Sequence, residues 1–224
     1  MRKFMLLSAV AAAALGVAST AHASTISIGT SINAGPITTQ ASGPTPGPVT
    51  FSGPVGAYNI DAVSGVDLTA ASLDSNSINA TALGTFDTLN IFVSASDITS
   101  LSGLVQALSG LTVNFLTAGW SVTESTFEDN SNTVFGTTTL LATNMFTSGP
   151  DTFTLLTPVS VTSPFSVTEE FVIKSNGISG AANNTIDLSG AVPEPATWAM
   201  LGLGFAGMGL LGLARRQKGS RYAF

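Results

Sequence analysis

Few side chains in this sequence can carry out catalytic chemistry. The 224 residues include no cysteine and one histidine, His22, so no thiolate is available as a nucleophile or metal ligand. Residues 24–191 contain no arginine, and Lys174 is their only base. Carboxylates, hydroxyls and one lysine are what remains for chemistry there. The sequence therefore predicts no catalytic residue and no cofactor, and it favours a protein that is not an enzyme.

Two groups of carboxylates lie close enough in sequence to be considered as pairs. Glu169 and Glu170 are adjacent on a predicted strand, where successive side chains point to opposite faces, so they cannot flank one glycosidic bond. Glu124, Glu128 and Asp129 lie around a predicted turn, where we expect a solvated cluster at the end of a strand. A secreted, carboxylate-based carbohydrate-active enzyme is the alternative function that these acids leave open.

The same turn offers the hard oxygen ligands that calcium prefers. The candidate ligands are Glu128, Asp129, Asn130 and Asn132. Their spacing misses the EF-hand loop, which needs a glycine at a fixed place. A polar hairpin turn explains the same residues, so calcium binding and a plain turn are both open interpretations.

The charge balance excludes one class of partner. Residues 24–191 hold twelve acids and one base, a formal charge of −11. Binding to nucleic acid depends on neutralising phosphates with Lys and Arg. We therefore expect no nucleic-acid partner.

Apolar residues alternate with Ser and Thr along much of this stretch. The alternation is clear around Ile26, Leu89, Val113, Phe153 and Ile186, and it is typical of antiparallel strands with one buried face. By the same alternation Trp120 shares a face with Val122, so we expect Trp120 in the core. Turn signals separate the predicted strands at 128–132, 148–150 and 176–177.

Two segments depart from this pattern. Ile98, Leu101, Leu104, Val105 and Leu108 follow helical spacing, which predicts one short helix. Residues 34–56 are rich in Pro and Gly and are predicted to form a loop or a loosely attached arm. The expected fold is all-β: an antiparallel β-sandwich of jelly-roll type with one short helix, over residues 24–191.

The N-terminal residues 1–23 have the anatomy of a secretory signal peptide. Arg2 and Lys3 precede an apolar run, and Ala21 and Ala23 form the small-x-small site of signal peptidase. Cleavage is expected after Ala23, with Ser24 as the new N-terminus.

An uncharged stretch of 19 residues, 196–214, lies near the other end. At about 1.5 Å per residue a helix of this length matches a hydrocarbon core of about 30 Å. Arg215 and Arg216 follow it and place the tail, including 219–224, in the cytoplasm. The sequence therefore predicts one C-terminal transmembrane helix in the inner membrane, with residues 24–191 outside.

Just before this helix stands Val192-Pro193-Glu194-Pro195, which the prolines hold extended. The order of Pro193, Glu194, Pro195, an apolar helix that contains Trp198, and Arg215 with Arg216 resembles the PEP-CTERM sorting signal, in its PEPxxWA variant. The resemblance covers roughly residues 192–218.

The resemblance implies recognition by exosortase, an integral-membrane enzyme of Gram-negative bacteria. Carried over by position, Pro193, Glu194 and Pro195 would be recognised, 196–214 would retain the chain, and Arg215 with Arg216 would be the stop. It implies export to the outer surface or extracellular matrix, often with exopolysaccharide in biofilms. A permanently anchored single-pass protein is the other interpretation.

Overall fold

A computed structural model of the protein describes residues 24–67 and 72–191. These residues form twelve β-strands and no helix. The strands are β1 Thr25–Ile32, β2 Thr38–Pro44, β3 Val49–Val55, β4 Tyr58–Asp67, β5 Ser72–Leu83, β6 Thr88–Ile98, β7 Gly103–Leu116, β8 Ser121–Asp129, β9 Thr139–Phe146, β10 Asp151–Val161, β11 Phe165–Lys174 and β12 Ser179–Ala191.

The strands form two six-stranded sheets that face each other across one core. Sheet I has the order β2-β1-β6-β11-β8-β9, and sheet II has the order β10-β7-β12-β5-β4-β3. Every pairing is antiparallel. The connections from β2 to β3 and from β9 to β10 join the edge strands of the two sheets, and five further connections also cross between the sheets. The predicted all-β sandwich is confirmed, while its jelly-roll assignment stays a prediction.

The alternating pattern places apolar side chains between the sheets, as predicted. Ile26, Ile91 and Ile186 are fully buried there. Trp120 is 1 % exposed, and its indole N–H donates to the carbonyl of Ile178 at 2.9 Å. The prediction that Trp120 belongs to the core is therefore confirmed.

The predicted short helix is wrong. Ile98 ends β6, and Leu101 lies in the connection to β7. Gly103 begins β7 with a φ of +84°, and Leu104, Val105 and Leu108 lie in that strand. Val105 faces the core, whereas Leu104 and Leu108 are 62 % and 43 % exposed on the outer face. The helical spacing was therefore a coincidence of inward and outward apolar residues on one strand.

The predicted loop at residues 34–56 also differs from the structure. It contains β2 and β3, and each is the edge strand of its sheet. Pro44 ends β2 and Pro54 lies within β3. An edge strand tolerates proline because one side of its backbone needs no partner strand. Proline content therefore indicated the position of these strands rather than their absence.

The predicted transmembrane helix 196–214 lies outside the described residues. Over 24–67 and 72–191 the structure contains no helix long and apolar enough to cross a membrane.

Candidate functional site: carboxyl groups inside the sandwich

Strand β8 turns three polar side chains toward the core. Glu124, Thr126 and Glu128 follow Val122 on the inward face, and Glu124 and Glu128 are 0 % and 1 % exposed. Asp129 is also only 3 % exposed, so the predicted solvated cluster at the end of the strand is wrong for all three acids. The sequence did contain the signal, because the alternation that places Trp120 and Val122 inward continues through the three inward polar positions.

Strand β11 adds a fourth inward polar residue. Glu169 is 0 % exposed, and its Oε2 accepts a hydrogen bond from the Ser75 hydroxyl on the facing sheet. Glu170 lies half-buried on the opposite face of β11, which confirms that the two adjacent glutamates point apart. Glu169 and Glu170 therefore cannot act together on one substrate.

Other polar groups from both sheets complete the interior polar band, which we define as Ser75, Ser109, Glu124, Thr126, Glu169 and Asn184. The hydroxyls of Ser109 and Thr126 lie 2.8 Å apart and join sheet II to sheet I. Asn184 is fully buried. Along β7 and β11 the band lies between a large apolar cluster that contains Trp120 and a smaller one around Phe165.

Burial changes the acidity of the carboxyl groups in this band. It raises the pKa of Glu124 to about 8, and the nearby backbone N–H of Thr112 offsets only part of the effect. Burial also raises the pKa of Glu169 well above its ordinary value; the Ser75 hydroxyl opposes this, and the charges of Asp74, Asp187 and Glu124 add to it.

Glu128 lies in a separate apolar pocket at one end of the sandwich. The pocket has a volume of about 40 Å³ and is lined by Leu141, Val161, Phe165 and other apolar side chains, with Glu128 as its one ionisable group. Burial raises the pKa of Glu128; the Thr139 hydroxyl lowers it and the Asp129 charge raises it further. Ligand pockets are typically roughly 300 Å³ or larger, so this pocket is too small to be a sugar-binding site.

The four predicted calcium ligands do not converge. Glu128 points into the pocket, whereas Asp129 accepts a hydrogen bond from the backbone N–H of Ser131 at 2.8 Å, which lowers the pKa of Asp129. The amide of Asn130 donates to the carbonyl of Ser160, and that of Asn132 donates to the carboxylate of Asp97. Within the described ranges, no three acidic or histidine side chains are grouped to hold a metal ion.

Residues 130–138 form the outer loop, which covers the outer face of sheet I. The Phe135 ring lies against Phe92 with centroids 6.1 Å apart, and the backbone N–H of Phe135 donates to the Ser94 hydroxyl. The Ser166 hydroxyl donates to the carbonyl of Thr133 at 2.7 Å. The polar turn predicted here is therefore the start of a packed loop that buries Ser94 and Ser166.

The two predicted processing regions adjoin the sandwich. Ser24 is buried, and its hydroxyl lies 3.0 Å from that of Thr45. The residues predicted for signal-peptidase cleavage, Ala21 and Ala23, lie outside the described residues. So do the predicted sorting residues Pro193, Glu194, Pro195, Trp198, Arg215 and Arg216.

Both ends of the sandwich chain lie at the same end of the fold. Thr25 pairs with Ser96 near the end of β6, and Ala191 pairs with Gln106 near the start of β7. The short connection 99–102 joins β6 to β7, so these two pairs are neighbours at the end that also holds the pocket.

Comparison with known proteins adds one finding at the C-terminal junction. No curated protein matches the chain. The arabinose-bound α-L-arabinofuranosidase MgGH51 matches with 15 % identity and a TM-score of 0.27, over 61 % of this chain and 22 % of that enzyme. A likeness this low supports no argument about fold or activity. Residues 191–218, by contrast, match the family model of the PEP-CTERM protein-sorting motif. The chain carries a PEP-CTERM sorting motif directly after the last strand of its sandwich.

Proposed function

We propose that this chain is an exported bacterial surface or extracellular-matrix protein that exosortase sorts and processes. The observation that carries the proposal is the match of residues 191–218 to the PEP-CTERM protein-sorting motif. The motif is a signal for export and for sorting at the membrane. The sandwich is then the delivered part of the chain, and the motif is the substrate of the sorting enzyme.

The fold is compatible with removal of the signal. Strand β12 lies between β7 and β5 in sheet II and ends at Ala191. A cut within Val192–Pro195 would leave all twelve strands in the delivered part. Ser24 and Ala191 lie at the same end of the sandwich, so signal peptidase and exosortase would both act at that end, toward the inner membrane.

A structural role of the sandwich, in contact with exopolysaccharide, is supported by its outer surface. On sheet II the hydroxyls of Thr112 and Thr152 lie 3.3 Å apart, and the amide of Asn114 donates to the Thr185 hydroxyl at 3.0 Å, all exposed or part-exposed. Hydroxyls and amides in rows of this kind can exchange hydrogen bonds with a hydrated polysaccharide. Catalysis is disfavoured because Glu124, Glu128 and Glu169 are buried beyond the reach of a polymer.

The experiment that tests the sorting proposal is the intact mass of the protein recovered from its host, with and without a functional exosortase. We expect a species that begins at Ser24 and ends within Val192–Pro195, and we expect that species to be absent from the exosortase mutant. A membrane-bound species that retains Phe224 in both strains would contradict the proposal and identify a permanently anchored protein.

The polysaccharide role needs a separate test. A variant with Thr112→Val and Thr152→Val removes two outer hydroxyls, and Thr143→Val, an exposed position on sheet I, is the matched control. We expect weaker retention of the double variant in the host's matrix and no change for the control. Equal retention of the double variant, the control and the wild type would count against this role.

A further inference from the structure

The buried oxygens of the interior polar band form an unbalanced set. The atoms without a hydrogen-bond partner include both carboxyl oxygens of Glu124, Oε1 of Glu169 and Oδ1 of Asn184. All of them are acceptors, and no buried side-chain donor among the described residues lacks a partner. Water and neighbouring protein groups usually satisfy buried polar atoms, so a set made only of acceptors indicates that donors are missing from it.

No cation within residues 24–191 can supply those donors. Lys174 is the one base of residues 24–191, and it is exposed at the end of β11. The charged groups that act on Glu169 are all acids: Asp74 from β5, Asp187 from β12 and Glu124 from β8. Two ionised carboxylates in this interior would be buried with no cation beside them, which strongly disfavours the charged form.

We propose that the interior polar band is a proton-binding site, in which Glu124 and Glu169 are uncharged carboxylic acids at neutral pH. Each bound proton turns one acceptor oxygen into an O–H donor, which corrects the excess of acceptors without a metal ion. The Ser75 hydroxyl already donates to Oε2 of Glu169, so Oε1 is the oxygen that carries the proton.

Because of this site, the stability of the sandwich should decrease as the pH rises. Burial raises the pKa of Glu124 from 4.5 to about 8 and raises that of Glu169 in the same direction. The folded state therefore binds these protons more tightly than the unfolded chain does. Their stabilising effect is complete below the unfolded pKa and is lost as pH rises through the folded pKa. For each carboxyl, the ratio of folded to unfolded protein falls about tenfold per pH unit within its window.

The test uses the processed protein recovered from its host, with Glu124→Gln, Glu169→Gln and the double variant. Asp61→Asn, at an exposed position on β4, is the matched control. Infrared spectroscopy at pH 7 reports protonated carboxyl groups directly, and urea unfolding from pH 4.5 to pH 9 reports the linkage. Glutamine has the shape of the neutral acid but does not titrate.

We expect a protonated-carboxyl band in the wild type and the control at pH 7, and a weaker band in the double variant, in which the buried Glu128 remains. The urea midpoint should fall with rising pH in the wild type. It should become less dependent on pH in the double variant, where Glu128 and Glu170, whose pKa values burial also raises, keep an effect of the same sign. Absence of the band from the wild type would overturn the proposal. So would stability that falls on chelation and returns with Ca²⁺, since a cation would then supply the missing charge. If Glu169→Gln fails to fold, the wild-type spectrum and Glu124→Gln still decide the question.

Discussion

Replacement of Trp120 by Phe should destabilise the sandwich at the end opposite the pocket. The indole N–H donates to the carbonyl of Ile178 at 2.9 Å, and the ring meets Tyr58 edge to face with centroids 6.2 Å apart. The Tyr58 hydroxyl donates to the carbonyl of Asp87 and accepts from the backbone N–H of Ser175. Tyr58 and Trp120 therefore connect the turns after β5, β7 and β11 through these contacts.

The magnitude follows from what Phe cannot replace. Loss of the part-buried hydrogen bond from the indole N–H to the Ile178 carbonyl costs about 0.5–1.5 kcal/mol. The weaker edge-to-face contact costs about 0.5–1.5 kcal/mol more. The expected loss in the free energy of unfolding is therefore about 2 kcal/mol, or roughly 4–8 °C in Tm for a domain of this size.

Urea unfolding followed by far-ultraviolet circular dichroism measures this loss without relying on tryptophan emission. The matched control is Phe86→Leu, because Phe86 is 88 % exposed and its replacement should cost less than about 0.5 kcal/mol. A Tyr58→Phe variant completes a double-mutant cycle with Trp120→Phe, and the two changes should not be additive. A loss below about 1 kcal/mol for Trp120→Phe would refute the reasoning that this pair holds the end of the sandwich.

Three further changes have defined outcomes. Glu128→Leu replaces a buried carboxyl in an apolar pocket and should raise the free energy of unfolding at pH 7 by about 1–3 kcal/mol in urea unfolding; a loss would mean that the carboxyl is satisfied there. Gly29→Ala would place a Cβ 2.7 Å from the Phe135 ring and 2.8 Å from Ile37. This contact should push the outer loop away from the sheet, so limited proteolysis should cut the loop sooner. The control is Gly47→Ala, where the nearest atom to the new Cβ lies 3.8 Å away, and it should leave the rate of cleavage unchanged. Glu194→Gln should leave the sandwich folded by circular dichroism but make the membrane-bound, uncleaved form accumulate; normal processing would remove Glu194 from the recognised signal.

The sequence predicted the strands best where apolar and polar residues alternate over several positions. The alternation around Ile26, Leu89 and Ile186 identified strands that bury one face, and the structure confirms each of them. It failed at Leu104 and Leu108, because an exposed leucine on the outer face of a sheet looks the same in sequence as one turn of an apolar helix face. Only the pairing of β7 with β10 and β12 shows that this segment is a strand and not a helix.

The interior carboxyls were missed for a different physical reason. Alternation predicts which side of a strand a residue faces, but charge suggested that Glu124 and Glu128 should be in water. The free-energy cost of burying a charge is avoided if the carboxyl group stays protonated. The protonation state depends on the folded environment, so it could not be predicted from the sequence. The environment of Glu169 depends on Ser75, which lies 94 positions away in the chain.

The position of the two chain ends connects this interior to the proposed export. Ser24 and Ala191 lie at the end of the sandwich that holds the pocket, while the Tyr58–Trp120 pair holds the opposite end. Both predicted membrane segments are therefore joined to the chain at the pocket end. The interior polar band lies between the two ends and within the sheets, so neither cleavage removes a residue of it. The proposed cleavages would therefore leave all twelve strands and the whole interior polar band in place.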